Sequence, residues 1–246
     1  MSKMKLGISA CPNDTFMFEA MLNKRLKNTF NFDVIIEDIE KLNKLTLTGE
    51  LDISKISFAN YPEISKEYQI LNSGCAVGYK NGPLIISKNK IYPDELKDVH
   101  IAIPGVHTTA NLLMEILFPE AQKKYEYLFS DIEEAVLENE MDAGLIIHET
   151  RFTYGEKGLK KVEDLGEKWE NDLKTPVPLG GIVIKRDLPF EVKNEFEYLL
   201  RSSIEFAMNY QSLTMDFVRQ YARELKDSVI LQHIDLYVNH FSLNKY

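Results

Sequence analysis

Apolar positions along this chain follow two alternating patterns. Short apolar runs that fit buried strands are separated by longer segments with helical spacing. Lys3 to Ile8 is the first such run, and a helix is predicted from about Thr15 to Asn23, capped by Asn13 or Asp14. Phe32 to Ile36 predicts a second strand, Leu42 to Thr48 a short helix ending near Gly49, and Leu51 to Ile56 a third strand. Val99 to Ile103 is another strand, followed by Pro104-Gly105 and a helix from about Thr109 to Leu117. Tyr125 to Phe129, Ile132 to Asn139 and Ala143 to Ile147 continue as strand, helix and strand. From Phe190 the chain is helical, in segments that run to about Tyr210, follow Thr214, and span about Asp227 to Asn239. This alternation predicts an α/β fold with largely parallel sheets covered by helices on both faces.

Two segments break the rhythm. Gly74 to Ser87 carries three glycines beside two apolar runs, and Pro176 to Ile184 contains Pro178 and Gly180-Gly181. Both are marked by Gly and Pro and lead into strands, as connections between lobes would. They divide the chain into a discontinuous first lobe, residues 1–82 with 186–246, and a second lobe, residues 83–185. Two α/β lobes joined by two crossing strands place the expected ligand cleft between them.

Composition narrows the partners. At 246 residues the chain can bury a sizeable core, and 29 basic against 38 acidic residues give a net charge of -9. That balance argues against a nucleic-acid partner, which needs a basic face. A small anionic ligand is still allowed, because helix N-termini and one or two cations suffice to hold it. The start of the chain runs into a strand pattern without a signal-peptide or membrane-spanning stretch, so a cytoplasmic protein with no membrane partner is expected. Cys11 and Cys75 are too few for a disulfide scaffold, and His100, His107, His148, His233 and His240 are scattered, so no metal is expected.

Candidate chemistry gathers where predicted strands end. Ser9-Ala-Cys-Pro-Asn-Asp-Thr-Phe follows the first strand. Pro12 fixes a turn there, and Asn13 and Asp14 either cap the next helix or meet a ligand. Ser54-Lys55-Ile56-Ser57 ends a strand in polar groups; Lys55 can pair with a carboxylate and Ser57 can donate a hydrogen bond, unless this is only a solvated strand end. Thr108 and Thr109, after Pro104-Gly105, form either an anion seat or an ordinary helix cap. Ile147-His148-Glu149 ends an apolar strand in an imidazole, the side chain best matched to moving a proton near neutral pH. The plainer alternative is a half-buried structural histidine. Arg151 nearby can supply a second cation for a carboxylate. The strand ends of an open α/β sheet are where such folds bind ligands. Trp169 is expected as a packing anchor or a cleft wall, the aromatic residues of Glu195 to Tyr210 in the core, and Glu133, Glu134 and Glu138 on a solvated helix face.

The same segments, in this order, resemble the 1,4-dihydroxy-6-naphthoate synthase family of the futalosine route to menaquinone. They are Ser9-Ala-Cys-Pro-Asn-Asp-Thr-Phe, Ser54-Lys-Ile-Ser, Gly82-Pro-Leu, Ile103-Pro-Gly with Thr108-Thr109-Ala110, Asp142-Ala-Gly-Leu-Ile-Ile-His-Glu, Arg151-Phe-Thr-Tyr, Pro178-Leu-Gly-Gly, and His233-Ile-Asp-Leu-Tyr-Val-Asn-His-Phe-Ser-Leu. The resemblance implies a two-lobed fold like the type II periplasmic binding proteins, with two hinge strands and an interlobe cleft. It implies a lyase acting on cyclic dehypoxanthine futalosine, a small carboxylate, and releasing 1,4-dihydroxy-6-naphthoate and dihydroxyacetone. By the same resemblance His148 is the proton acceptor, Lys55, Ile56, Ser57, Thr108 and Thr109 contact substrate, and no cofactor or metal is needed. One departure is that Phe58-Ala59-Asn60-Tyr61 follows the Lys-x-Ser strand, which puts Asn60 in a place where it could alter substrate contacts. Chorismate dehydratase of the same pathway and a non-catalytic cytoplasmic small-anion-binding protein are the competing readings. A monomer and a homodimer both fit the sequence.

Overall fold

A computed structural model describes residues 3–244. The chain divides into two compact units, Met1–Val77 with Gly180–Tyr246, and Gly78–Leu179. The unit boundaries lie at 77/78 and 179/180, near the passages at 82/83 and 185/186 that the sequence predicts between lobes.

The first unit begins with β1 (Met4–Ile8), α1 (Pro12–Leu22), β2 (Phe32–Ile36), α2 (Ile39–Leu47), β3 (Ile53–Ser57), a short α3 (Tyr61–Ile64) and β4 (Tyr68–Ile70). β5 (Ala76–Gly78) then leads out of it. The second unit holds β6 (Leu84–Ser87), β7 (Ile101–Ile103), α4 (Thr109–Leu117), β8 (Lys124–Glu126), α5 (Ile132–Leu137), β9 (Ala143–Ile146), α6 (Thr150–Thr153), β10 (Lys160–Asp164) and α7 (Leu165–Leu173). The long β11 (Val177–Lys185) returns the chain to the first unit, which α8 (Phe190–Asn209), α9 (Gln211–Tyr221), α10 (Asp227–Tyr237) and α11 (His240–Leu243) complete.

The sheets are mixed, which corrects the expectation of largely parallel ones. The first has the order β2-β1-β3-β11-β4, with β5 also paired to β11; the second has the order β10-β6-β9-β7-β8. β1 runs parallel to β2 and β3, and β7 parallel to β8 and β9. β11 is antiparallel to β3 and β4, and β6 is antiparallel to β9 and β10. The βα repeats supply the parallel pairs, as their crossovers require.

Strand alternation sorts the second unit into two cores. Ile85, Ile101, Ile103, Ala143 and Leu145 face a cluster that includes Leu113 and Met114 of α4 and Leu165 of α7. Their neighbours Leu84, Ile86, Ala102 and Ile146 face Ile132 and Val136 of α5. Residues of period two on short, fully buried strands thus bury both faces of the sheet. In the first unit α8 turns Phe196, Leu199, Leu200, Ile204 and Ala207 inward at helical spacing, onto Phe16, Met17, Met21 and the apolar residues of β1. Trp169, half-buried, packs against the α4 and α7 core. Of the aromatic residues expected in the core on α8 and its end, Phe196 is buried, but Tyr198 and Tyr210 are exposed because they lie off the inward helical stripe.

Capping differs from expectation at α1. Its N-cap is Cys11, with Pro12 opening the helix and no side-chain cap. Asn13 and Asp14 are already inside the first turn. The fixed backbone angle of Pro12 suits a first helical residue, so the helix starts there. That leaves the Asn13 and Asp14 side chains available for other partners.

Candidate active site

In the first unit the site residues surround a buried ion pair. Lys55 lies on β3, between β1 and β11, and every residue of β3 is buried. Its ammonium is 2.9 Å from Asp14 Oδ1, with the two side chains 7% and 1% exposed. Asp14 Oδ2 accepts from Ser9 Oγ at 2.7 Å and from the Ser9 backbone N–H at 3.3 Å. The Asn13 amide donates to Asp14 Oδ1 at 3.1 Å. Among the described residues no acceptor is aligned with the Lys55 N–H groups, although the atom is buried. A buried ammonium with one carboxylate beside it and donors to spare is the arrangement an anionic oxygen completes.

The local sequence explains the close packing. A Cβ on Gly180 would stand 2.5 Å from the Ile56 carbonyl oxygen and 3.4 Å from Lys55 Cε. Only glycine lets β11 approach β3 there, in the register Gly180 to Ser57. Ser57 accepts from Asn43 Nδ2 at 3.1 Å, so its own proton is what it can offer a ligand. Ile56 is fully buried beside Ile64, Tyr68 and Val183. Any ligand contact it makes is therefore through its main chain. Asn60 donates to Thr46 Oγ1 at 3.0 Å and is fully buried. It fastens the turn after β3 to α2.

In the second unit His148 stands two residues beyond β9, with φ of 60°. Among the described residues Lys24, Lys80, Asn139 and Lys174 also have positive φ without being glycine. Lys24 and Asn139 lie just past helix ends, and Lys174 is itself a helix C-cap; left-handed residues commonly close helices there. His148 has no such role; like Lys80, two residues beyond β5, it follows a strand. A non-glycine residue held this way costs about 1–2 kcal/mol, and such strain gathers at functional sites. The imidazole is half-buried and lies edge-on to Phe129, with ring centroids 5.1 Å apart. Thr150 Oγ1 donates to the Ile147 carbonyl at 2.5 Å, closing the turn around it.

Glu149 follows in the same turn. Burial pushes its carboxyl above the ordinary value of 4.5, the charge of Glu133 adds to this, and a backbone hydrogen bond opposes it. Glu133 itself is 3% exposed, which corrects the expectation of a solvated face. It turns inward because Lys157 reaches it, with Nζ 2.5 Å from Oε2.

The remaining predicted residues are tied into the second unit. Thr108 is the N-cap of α4: its hydroxyl accepts from the Asn111 N–H at 3.2 Å and donates to the Gly105 carbonyl at 2.7 Å. Thr109 donates to the Leu179 carbonyl at 2.7 Å. Arg151 donates to the Gly82 carbonyl and lies 3.4 Å from Asp164 Oδ2. Gly82 and Gly166 touch so closely that a Cβ on Gly82 would be 2.3 Å from Gly166 Cα. Arg151 and these two glycines thus join the start of β6 to the start of α7.

Sequence reasoning missed Ser9, Asn43 and Glu133 as partners of the site residues. Ser9 meets Asp14 only because the turn at Pro12 brings them together, and Asn43 and Glu133 sit on helices separate in the chain from Ser57 and Glu149. A cavity of about 610 Å³ at the edge of the first sheet, lined in part by Phe30, Val34 and Tyr221, includes none of the predicted site residues.

Comparison with known proteins agrees with the fold and extends it. The chain is 38% identical over 244 residues to a 1,4-dihydroxy-6-naphthoate synthase of Thermus thermophilus, covering 99% of this chain and 89% of that one. It is 34% identical to a protein of the same name from Streptomyces coelicolor, covering 97% and 86%. A crystal structure of an Archaeoglobus fulgidus protein superposes with a TM-score of 0.94 at 36% identity, over 99% of this chain and 91% of that one. An alkanesulfonate-binding protein of Xanthomonas axonopodis gives a TM-score of 0.72 at 12% identity, over 96% and 84%. That likeness shows the type II periplasmic-binding-protein-like fold. Residues 4–245 match the family described as menaquinone biosynthesis, and with near-full-length relatives alongside, the chain belongs to that family.

Proposed function

We propose that this protein is a lyase that converts cyclic dehypoxanthine futalosine to 1,4-dihydroxy-6-naphthoate and dihydroxyacetone, in the cytoplasm and without a cofactor. The relatives named for that activity support the reaction. The left-handed backbone at His148, at the end of a buried strand, is the observation that supports a base at that position.

Releasing a three-carbon fragment while aromatising a bicyclic ring requires removal of a proton next to an activated carbonyl. His148 takes that proton. Charge then develops on oxygen, and preorganised donors lower its energy most where they are shielded from water. Lys55 is such a donor: its ammonium is buried, paired to Asp14, and retains N–H groups with no aligned acceptor among the described residues. Ser57 adds a hydroxyl proton, and Asn13 and Asp14 hold the lysine in place. Thr108 and Thr109 shape the start of α4 beside the substrate: the Thr108 hydroxyl and N–H both donate to the Gly105 carbonyl, and the Thr109 hydroxyl donates to the Leu179 carbonyl. Arg151 serves the second unit's integrity through Gly82 and Asp164.

The test is direct. Purified protein is incubated with cyclic dehypoxanthine futalosine, and 1,4-dihydroxy-6-naphthoate is followed by chromatography. Formation of product is expected. Consumption of chorismate with no naphthoate product would move the activity to chorismate dehydration. Binding of the substrate with no turnover would leave a small-anion-binding protein.

A further inference from the structure

His233-Ile-Asp-Leu-Tyr237 forms the last part of α10, which packs on α1 within the first unit. His233 is fully buried, and its Nε2 is 3.0 Å from Asn13 Oδ1. Tyr237, one turn along, holds the ring from the side with centroids 4.6 Å apart.

The bond has a definite direction. The Asn13 amide nitrogen donates to the Asp14 carboxylate, which can only accept. The Asn13 oxygen therefore faces His233, and the proton between them belongs to His233 Nε2. Asp14 Oδ1, which receives that amide, is the oxygen 2.9 Å from Lys55 Nζ. A continuous line of oriented groups runs from His233 through Asn13 and Asp14 to Lys55. A histidine that only filled the core would need no donor directed at this line; Leu or Phe packs such a site without the cost of burying ring nitrogens.

We infer that His233 is a positioning residue, holding Asn13 and through it the Asp14–Lys55 pair in the geometry that presents the lysine ammonium to substrate. The inference rests on the reading of Lys55 as a substrate contact. The chain after α10 is anchored independently. Asn239 donates to the Val77 carbonyl at 2.9 Å and Ser242 to the Cys75 carbonyl at 2.9 Å, so α11 is anchored without His233.

The experiment compares three variants of the full chain with wild type in steady-state turnover of cyclic dehypoxanthine futalosine. His233→Met fills the space and removes the donor. KM is expected to rise roughly five- to tenfold, with a smaller change in kcat, the size of one neutral hydrogen bond. His233→Gln returns an N–H near the position of Nε2 and is expected to restore most of the loss. Lys55→Met is expected to raise KM at least as much. A ring-nitrogen NMR spectrum of histidine-labelled wild type, which needs no turnover, is expected to show His233 as the Nε2–H tautomer. Equal loss in Met and Gln variants, tracking a lowered melting temperature, would make His233 a packing residue and overturn the inference. So would an Nδ1–H tautomer, or an unchanged KM in His233→Met when Lys55→Met raises it. An unchanged KM in Lys55→Met, or no turnover by wild type, would overturn the reading beneath the inference together with it.

Discussion

His148 offers the sharpest separation of chemistry from stability. Three replacements remove the imidazole and differ in how they tolerate φ of 60°. Alanine in the left-handed region costs about 1–2 kcal/mol. Asparagine visits that region more readily, and glycine adopts it without strain. Histidine carries a strain of the same kind, so His148→Gly gains what relief the backbone gives and loses the edge contact with Phe129. An aromatic edge contact is worth about 0.5–1.5 kcal/mol, so the two effects nearly cancel. His148→Gly and His148→Asn should therefore melt close to wild type, with His148→Ala the least stable. Activity should follow a different order. A general base is worth ~10²–10⁴-fold, or about 3–5 kcal/mol of barrier, and all three variants lose it alike. The assay is naphthoate production beside thermal melting of each purified variant. More than about 1% of wild-type activity in His148→Gly would fall short of the smallest loss a general base implies and refute the role. A drop in stability shared equally by all three would show that the ring is there to pack.

Other outcomes follow from buried charge and close packing. Glu149 has its carboxyl raised by burial and by the charge of Glu133, so its contribution to stability is full below pH 4.5 and declines as pH rises through the folded value. Glu149→Gln should flatten that decline in melting curves taken from pH 4.5 upward, and an unchanged slope would remove Glu149 as its source. Asp14→Asn strips the buried Lys55 ammonium of its counter-charge and should cost about 3–5 kcal/mol by chemical denaturation; a loss under about 1 kcal/mol would mean that the pair is solvated in solution. Gly82→Ala drives a methyl into the backbone of Gly166 and should cost about 1–3 kcal/mol, with an unaffected melting curve arguing against that contact.

Much of the architecture was legible because hydrophobic periodicity is a local property. The bounds of β2 and α4 match their predicted ranges, and β9 ends one residue short of its own. The strand ends at Ser57 and Ile146 carry the lysine and the histidine that the pattern singled out. Strand direction was not legible. Whether a strand runs parallel or antiparallel depends on the partner it meets, and β11 meets β3 across more than a hundred residues of intervening chain. Side-chain duty was also hidden wherever two chemistries share one residue type. Asn13 and Asp14 fit a helix cap in sequence, yet Pro12 starts the helix early and turns both toward Ser9, Lys55 and His233. Glu133 fits a solvated face until Lys157, 24 residues along the chain, pairs with it.

The sequence alone thus determined the α/β class, the positions of the strand ends and the kinds of groups placed there, because burial period and residue chemistry are written into neighbouring positions. Only the tertiary structure decided which of those groups are paired, which donors remain uncommitted, and that His148 is held in a left-handed turn. Pairing over long separations and backbone strain exist only once the remote segments that impose them have packed.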